Sequence, residues 1–175
     1  VFGRPISIRK NGDRFTYDYT PDGLVKSKAT ANNKLIFEYN NSLKKPSKVT
    51  VEVLNDKGKK TSTKYTTFQY DTKGNLNMAE NSDGQKIELS YDARGRIVKI
   101  VDQAKKIVKL EYEEKYNKPV TVSRPGLGSI KVSYKPNGDI NKVDSKEGPS
   151  VAMQVASTFN TLLDIIAPAT QELFL

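Results

Sequence analysis

Polar and apolar residues alternate along most of this chain. In Gln85-Lys86-Ile87-Glu88-Leu89-Ser90-Tyr91 the alternation puts Ile87, Leu89 and Tyr91 on one face of an extended strand. Asp92-Ala93-Arg94-Gly95 then reads as a turn, where glycine tolerates positive φ and aspartate can bond its own backbone. Arg96-Ile97-Val98-Lys99-Ile100-Val101 returns as a β-branched strand, and a second turn leads into Ile107-Val108-Lys109-Leu110-Glu111-Tyr112. The same alternation groups Phe15, Tyr17 and Tyr19, then Leu35, Phe37 and Tyr39, then Phe68 and Tyr70, then Ile130, Val132 and Tyr134. Asn11-Gly12, Asp83-Gly84 and Asn32-Asn33 mark the second turn in other copies. About thirteen strands are expected from Ile6 to Val143. A flat sheet that wide is unusual because twist accumulates, so the strip is expected to curve.

The hairpins repeat. Tyr19, Tyr39, Tyr70, Tyr91, Tyr112 and Tyr134 follow one another at 20, 31, 21, 21 and 22 residues. Gly23, Gly74, Gly95 and Gly138 follow Tyr19, Tyr70, Tyr91 and Tyr134, while Tyr39 and Tyr112 lack the glycine. A fixed period of this kind buries a core only by stacking neighbours. Equivalent tyrosines lie two strands apart, roughly 9.6 Å at about 4.8 Å per strand, too far to stack directly. The strand between them must supply filler such as Val98, Ile100 or Ile140, and the tyrosine row reads as a packed seam. Gly3 precedes Gly23 by one period, so the chain is expected to begin within a repeat, and neither a basic leader nor a long apolar stretch opens it.

One interval breaks step. The 31 residues from Tyr39 to Tyr70 hold two lengthened strands, Ser47–Leu54 and Thr61–Tyr70, around the turn Asn55-Asp56-Lys57-Gly58-Lys59-Lys60. This long hairpin at 47–70 is expected to project with a basic tip of Lys57, Lys59 and Lys60. The tip is either a solvated turn or a contact point for an acidic or anionic partner.

After Gly148-Pro149 the character changes. All 29 Lys and Arg lie at or before Lys146, and from Glu147 onward the only charges are Glu147, Asp164 and Glu172. Val151, Val155, Phe159, Leu162 and Ile166 are spaced 4, 4, 3 and 4, one face of an α-helix. Met153, Ala156, Leu163 and Ile165 widen the stripe, and Leu173-Phe174-Leu175 continues it. Ser150 is the expected N-cap, and Pro168 is expected to end or kink the helix at Ala167. Gln154, Ser157, Thr158, Asn160, Thr161 and Asp164 argue against a membrane span. The lack of Lys or Arg argues against a helix lying on lipid. The helix therefore either covers the sheet's apolar face or docks on a partner or its own copy through Val151, Val155, Phe159, Leu162 and Ile166. Two parts result, a β-sheet domain at 1–146 and a helical tail at 149–175.

Composition removes several functions. With no His and no Cys in 175 residues, a Ser-His-Asp or Cys-His apparatus, a disulfide framework and a thiolate metal site are all excluded. Hydrophobic content of 36% suits an elongated, surface-rich structure. Glu111 and Glu113 alternate onto the solvent face, without the cleft that paired catalytic carboxylates need. Gly126-Leu127-Gly128 lacks the Lys-Ser/Thr of a phosphate loop and reads as a hairpin turn. No catalytic residue and no cofactor is expected. The net charge of +9 is spread over most hairpins without a nucleic-acid-binding signature, so an anionic glycan or envelope polymer suits it better than nucleic acid.

Tyr91-Asp92-Ala93-Arg94-Gly95-Arg96-Ile97 and Tyr70-Asp71-Thr72-Lys73-Gly74-Asn75-Leu76, at this period, resemble the YD repeats of bacterial Rhs proteins, wall-associated proteins and animal teneurins. The resemblance covers roughly residues 3–143. It implies a mostly β fold of antiparallel hairpin repeats forming a curved strip, here followed by a C-terminal helix. It also implies a cell-envelope or secreted setting, and in Rhs toxins a spiral shell around a toxic domain. Such shells commonly end in a self-cleaving Asp-Pro-x-Gly segment, whereas the last copy here reads Lys135-Pro136-Asn137-Gly138-Asp139. The expected function is a non-enzymatic scaffold or binding module that contacts a protein partner or larger assembly. The alternatives are a fragment of a toxin casing or an anionic-glycan-binding module.

Overall fold

The computed structural model describes residues 3–115 and 117–170, with side chains through Ala167. Glu172 and Leu173-Phe174-Leu175 of the tail lie outside the described residues. The chain forms β1 (Ser7–Lys10), β2 (Asp13–Tyr19), β3 (Val25–Ala29), β4 (Asn33–Glu38), β5 (Lys48–Leu54), β6 (Lys60–Tyr70) and β7 (Leu76–Asn81). It continues as β8 (Lys86–Tyr91), β9 (Ile97–Asp102), β10 (Ile107–Glu113), β11 (Lys118–Arg124), β12 (Gly128–Tyr134), β13 (Ile140–Ser145) and α1 (Pro149–Thr170). The strands follow one another in a single unclosed antiparallel sheet ordered β1 to β13, as the alternation implies. Two kinds of turn join them. Asn11 and Gly12 both take positive φ, 53° and 89°, which suits the twist of a tight hairpin. The expected Asn32-Asn33 turn falls one residue earlier: Thr30 N–H donates to Asn33 O at 2.8 Å, so Ala31-Asn32 is the loop and Asn33 opens β4.

Two compact units result. Among the described residues, one contains 3–69, Ala79–Gly84 and 166–170, the other Tyr70–Met78 and Gln85–Ile165. In the first, Phe37, Val49 and Thr66 lie opposite one another across β4, β5 and β6, all buried. Leu35 pairs with Val51 in the adjoining row, and Phe68 and Tyr17 are also buried. In the second, Leu89, Ile100 and Val108 form one row, and Leu110, Val122 and Ile130 the next. Ile87, Ile100 and Val108 are fully buried. Each such isoleucine or valine withdraws enough apolar surface to contribute about 1.5–3 kcal/mol. Ile140, expected as filler, is instead 59% exposed, because it stands on β13, where the sheet ends.

The helix departs from expectation at both ends. Pro149 is its first residue and Ser150 lies inside it, donating to Glu147 O at 3.4 Å. Proline is preorganised for the first helical position and has no N–H to leave unsatisfied there, which explains the start. The helix also runs through Pro168 to Thr170 rather than stopping at Ala167. A proline so close to the C-terminal end removes one intrahelical bond without interrupting any long stretch beyond it. The buried line is Val151, Val155, Thr158, Leu162 and Ile165, with Phe159 and Ile166 half-buried beside it. Thr158 fits this apolar line because its Oγ1 donates to Gln154 O at 3.4 Å.

Candidate functional site

Five of the repeat tyrosines each fasten a hairpin. The Tyr19 hydroxyl donates to Pro5 O at 2.7 Å, Tyr39 to Val25 O at 2.8 Å and Tyr91 to Leu76 O at 2.7 Å. Tyr112 reaches Ile97 O at 2.7 Å and Tyr134 reaches Pro119 O at 2.6 Å. The acceptor carbonyl lies within two residues of the start of the preceding strand, so the bond closes the open mouth of the hairpin opposite its tight turn. Burial pushes the Tyr91 and Tyr112 phenols above their ordinary pKa. For four of these tyrosines the strand register shifts immediately before the ring, at Asp18/Tyr19, Ser90/Tyr91, Glu111/Tyr112 and Ser133/Tyr134. A bulge adds a residue and re-aims the side chain that follows.

Cations lie over three of the rings. Arg4 lies 5.8 Å from the Tyr19 centroid, Arg96 4.7 Å from Tyr112 and Lys118 5.3 Å from Tyr134. These cations directly follow Gly3, Gly95 and Asn117, whose φ values are 94°, 78° and 56°. Asn117 thus does the work of the glycine that the Tyr112 copy lacks, as asparagine tolerates left-handed backbone. Gly23 takes φ 81°, and the Arg4 guanidinium packs into the space that a Cβ there would fill.

The acidic residue after the tyrosine organises the turn. Asp92 Oδ1 accepts from the N–H groups of Arg94 and Arg96 at 2.9 and 3.0 Å, and its Oδ2 accepts from Arg96 Nε at 2.6 Å. Asp71 Oδ1 accepts likewise from Lys73 and Asn75 at 2.9 and 2.8 Å. The Arg96 backbone N–H, aided by its guanidinium, holds the Asp92 carboxyl below its usual pKa, and the Asn75 side chain does the same for Asp71. Asn55 builds the long hairpin's turn in the same manner, accepting from Lys57 and Lys59 N–H at 3.1 and 2.9 Å.

The sequence-predicted partner residues fall into two groups. Lys57, Lys59 and Lys60 are exposed at the tip of β5–β6, where Lys60 pairs with Glu52 at 3.2 Å. Val151, Val155 and Leu162 are buried and Phe159 and Ile166 half-buried, so the side chains that α1 presents outward are others. Met153 is 69% and Leu163 57% exposed, among Ala152, Ala156, Ser157 and Asn160. Gln154 accepts a hydrogen bond from Arg124 on β11. By length and composition alone Pro149–Ala167 is apolar enough to cross a membrane, at mean hydropathy 1.2, although the polar side chains argued against a span. Sequence reasoning singled out neither Met153 nor Leu163 as outward, because helical periodicity gives a stripe but not its centre. Among the described residues no three His, Cys, Asp or Glu converge as a metal site requires.

A family model described as Teneurin YD-shell matches residues 14–175. Among solved structures, the chain is similar to TcdB2-TccC3 without its hypervariable C-terminal region, at 12% identity and TM-score 0.50, covering 75% of this chain and 9% of that one. It is also similar to the Photorhabdus luminescens Tc holotoxin pore carrying a TccC3 mutation, at 14% identity and TM-score 0.51, covering 77% of this chain and 8% of that one. At these identities the likeness concerns the fold. Comparison with curated proteins finds no match.

Proposed function

The chain belongs to the teneurin YD-shell family, and on that premise we propose that it is a non-enzymatic stretch of scaffold in a larger secreted or cell-envelope assembly. It contacts a protein partner through the outward face of α1 and the basic tip of β5–β6. The observation that carries this reading is the run of tyrosine clasps, which uses the distinctive residues of the repeat to hold hairpins shut. That leaves the surfaces outside the repeat for contact. Met153 and Leu163 are large apolar side chains left exposed on α1, and Lys57 and Lys59 have no ion partner among the described residues. Exposed apolar groups rimmed by polar ones mark protein contacts.

The test places a photo-crosslinking residue at Leu163 or Lys59 of the full-length protein in its own cells. Discrete adducts are expected at both positions and not at Lys109, which is exposed on β10. Adducts at neither position would sink the proposal. A second reading, a stretch of Rhs-like toxin casing, is favoured by the likeness to two Tc-toxin structures. A casing would shield an enclosed polypeptide from added protease, whereas a partner-binding scaffold would leave it open.

A further inference from the structure

The first unit carries a cation where its alternation calls for an apolar side chain. Lys28 stands opposite Tyr17 on β2 and Leu35 on β4, and is only 7% exposed. Its ammonium lies 5.0 Å from the Phe15 ring centroid and 5.8 Å from that of Tyr17. It has no ion pair among the described residues. Buried ammonium groups are ordinarily paired with an anion, since ring faces replace only part of their lost hydration.

Beside Lys28 opens a cavity of about 350 Å³, with Asp13, Phe15, Thr30, Asn32 and Asn33 among its lining. That volume lies at the small end of ligand pockets. Thr30 Oγ1 already accepts from the Asn32 and Asn33 N–H groups, which holds the loop in place and leaves the two side-chain amides for other partners. A cation deep in the pocket, an aromatic wall and carboxamides with a carboxylate at the rim match three features of one ligand class. These are a carboxylate, the apolar face of a sugar ring and ring hydroxyls.

We propose that this cavity binds a uronic acid residue of an acidic saccharide, its carboxylate on Lys28, its ring against Phe15 and its hydroxyls on Asp13, Asn32 and Asn33. An acidic peptide side chain would satisfy Lys28 but offer nothing to the rim. Nothing in the scaffold reading above requires this site.

The full chain is titrated with methyl glucuronide, methyl glucoside and N-acetyl-glutamate amide, following Phe15 and Leu35 signals by NMR. Saturable shifts with the glucuronide are expected, with the other two at least roughly tenfold weaker. Lys28→Met should weaken the glucuronide at least about tenfold while leaving the chain folded, because a buried charge is replaced by an apolar group of similar length. Asn32→Ala, on an exposed turn, should weaken it severalfold and carries the test should Lys28→Met fail to fold. Three outcomes overturn the site. They are no saturation by about 50 mM glucuronide, equal binding of the glucoside or the glutamate amide, and undiminished binding by the folded variants.

Discussion

The hairpins β5–β6 and β9–β10 share one alternation of apolar and polar residues, yet only the first leaves an apolar side chain of its buried face exposed. On β9 and β10, Ile100, Val108 and Leu110 are all enclosed. On β5, Val49 is fully buried but Val53, two pleats further on the same face, is 40% exposed. Its cross-strand partner is Ser62, within the exposed run Lys60–Tyr65. Alternation therefore assigns a side chain to a face. Burial depends on whether anything lies opposite that face, and the lengthened hairpin outruns its cover.

The sharpest way to break this comparison is a pair of truncations. Ile100→Ala should cost about 2–4 kcal/mol in urea denaturation, against less than about 0.5 kcal/mol for Val53→Ala. Equal losses would mean that the long hairpin is covered in solution. Next in size are the phenols. Tyr112→Phe should cost about 1 kcal/mol, because Ile97 O loses its donor, whereas Tyr65→Phe should be nearly neutral. Tyr65 lies on the exposed stretch of β6 with Lys48 5.0 Å from its ring centroid, an interaction that phenylalanine retains.

Acid sharpens the contrast between the turns. Asp92 is depressed below 3.8 chiefly by the Arg96 backbone N–H. A depressed carboxyl contributes stability above its unfolded pKa and loses it as pH falls through the folded value. Stability should therefore decline below pH 3.8 in the wild type, and less steeply in Asp92→Asn, whose Oδ1 remains an acceptor. At the Asn55 turn an uncharged amide oxygen accepts the two backbone bonds, so Asn55→Asp should add an acid sensitivity there. Urea midpoints across this range, on both variants, would show it. The smallest effect is expected at the tip, where Lys57→Glu with Lys59→Glu should shift stability by less than about 0.5 kcal/mol by thermal melting. A larger loss would make the tip structural and remove it as a contact surface.

The strands, their order and the basic hairpin were legible because period-two alternation and turn residues are local signals. The clasps were not. Tyr91 and Leu76 are far apart in sequence, and a phenol bonded to a backbone carbonyl leaves no mark on the identity of the acceptor. Lys28 was hidden for the opposite reason: a lysine on a strand reads as solvent-facing, and only the register with Tyr17 and Leu35 turns it inward. Thr158 entered the buried helix line through a bond to its own helix backbone, which a hydropathy pattern does not register. The start of α1 at Pro149 and its passage through Pro168 were misread because proline's cost depends on how much helix lies on either side.

The clasp also bears on how such chains can change length in evolution. Donor and acceptor sit at the mouth of one hairpin, so residues gained or lost near the opposite tip leave the closure untouched. The clasp fixes the mouth and leaves the reach of each hairpin free to vary. In the 31-residue step from Tyr39 to Tyr70, most of the extra length lies in the hairpin β5–β6. A strip built this way can sprout a new projection from any hairpin by insertion at its tip, without renegotiating its neighbours.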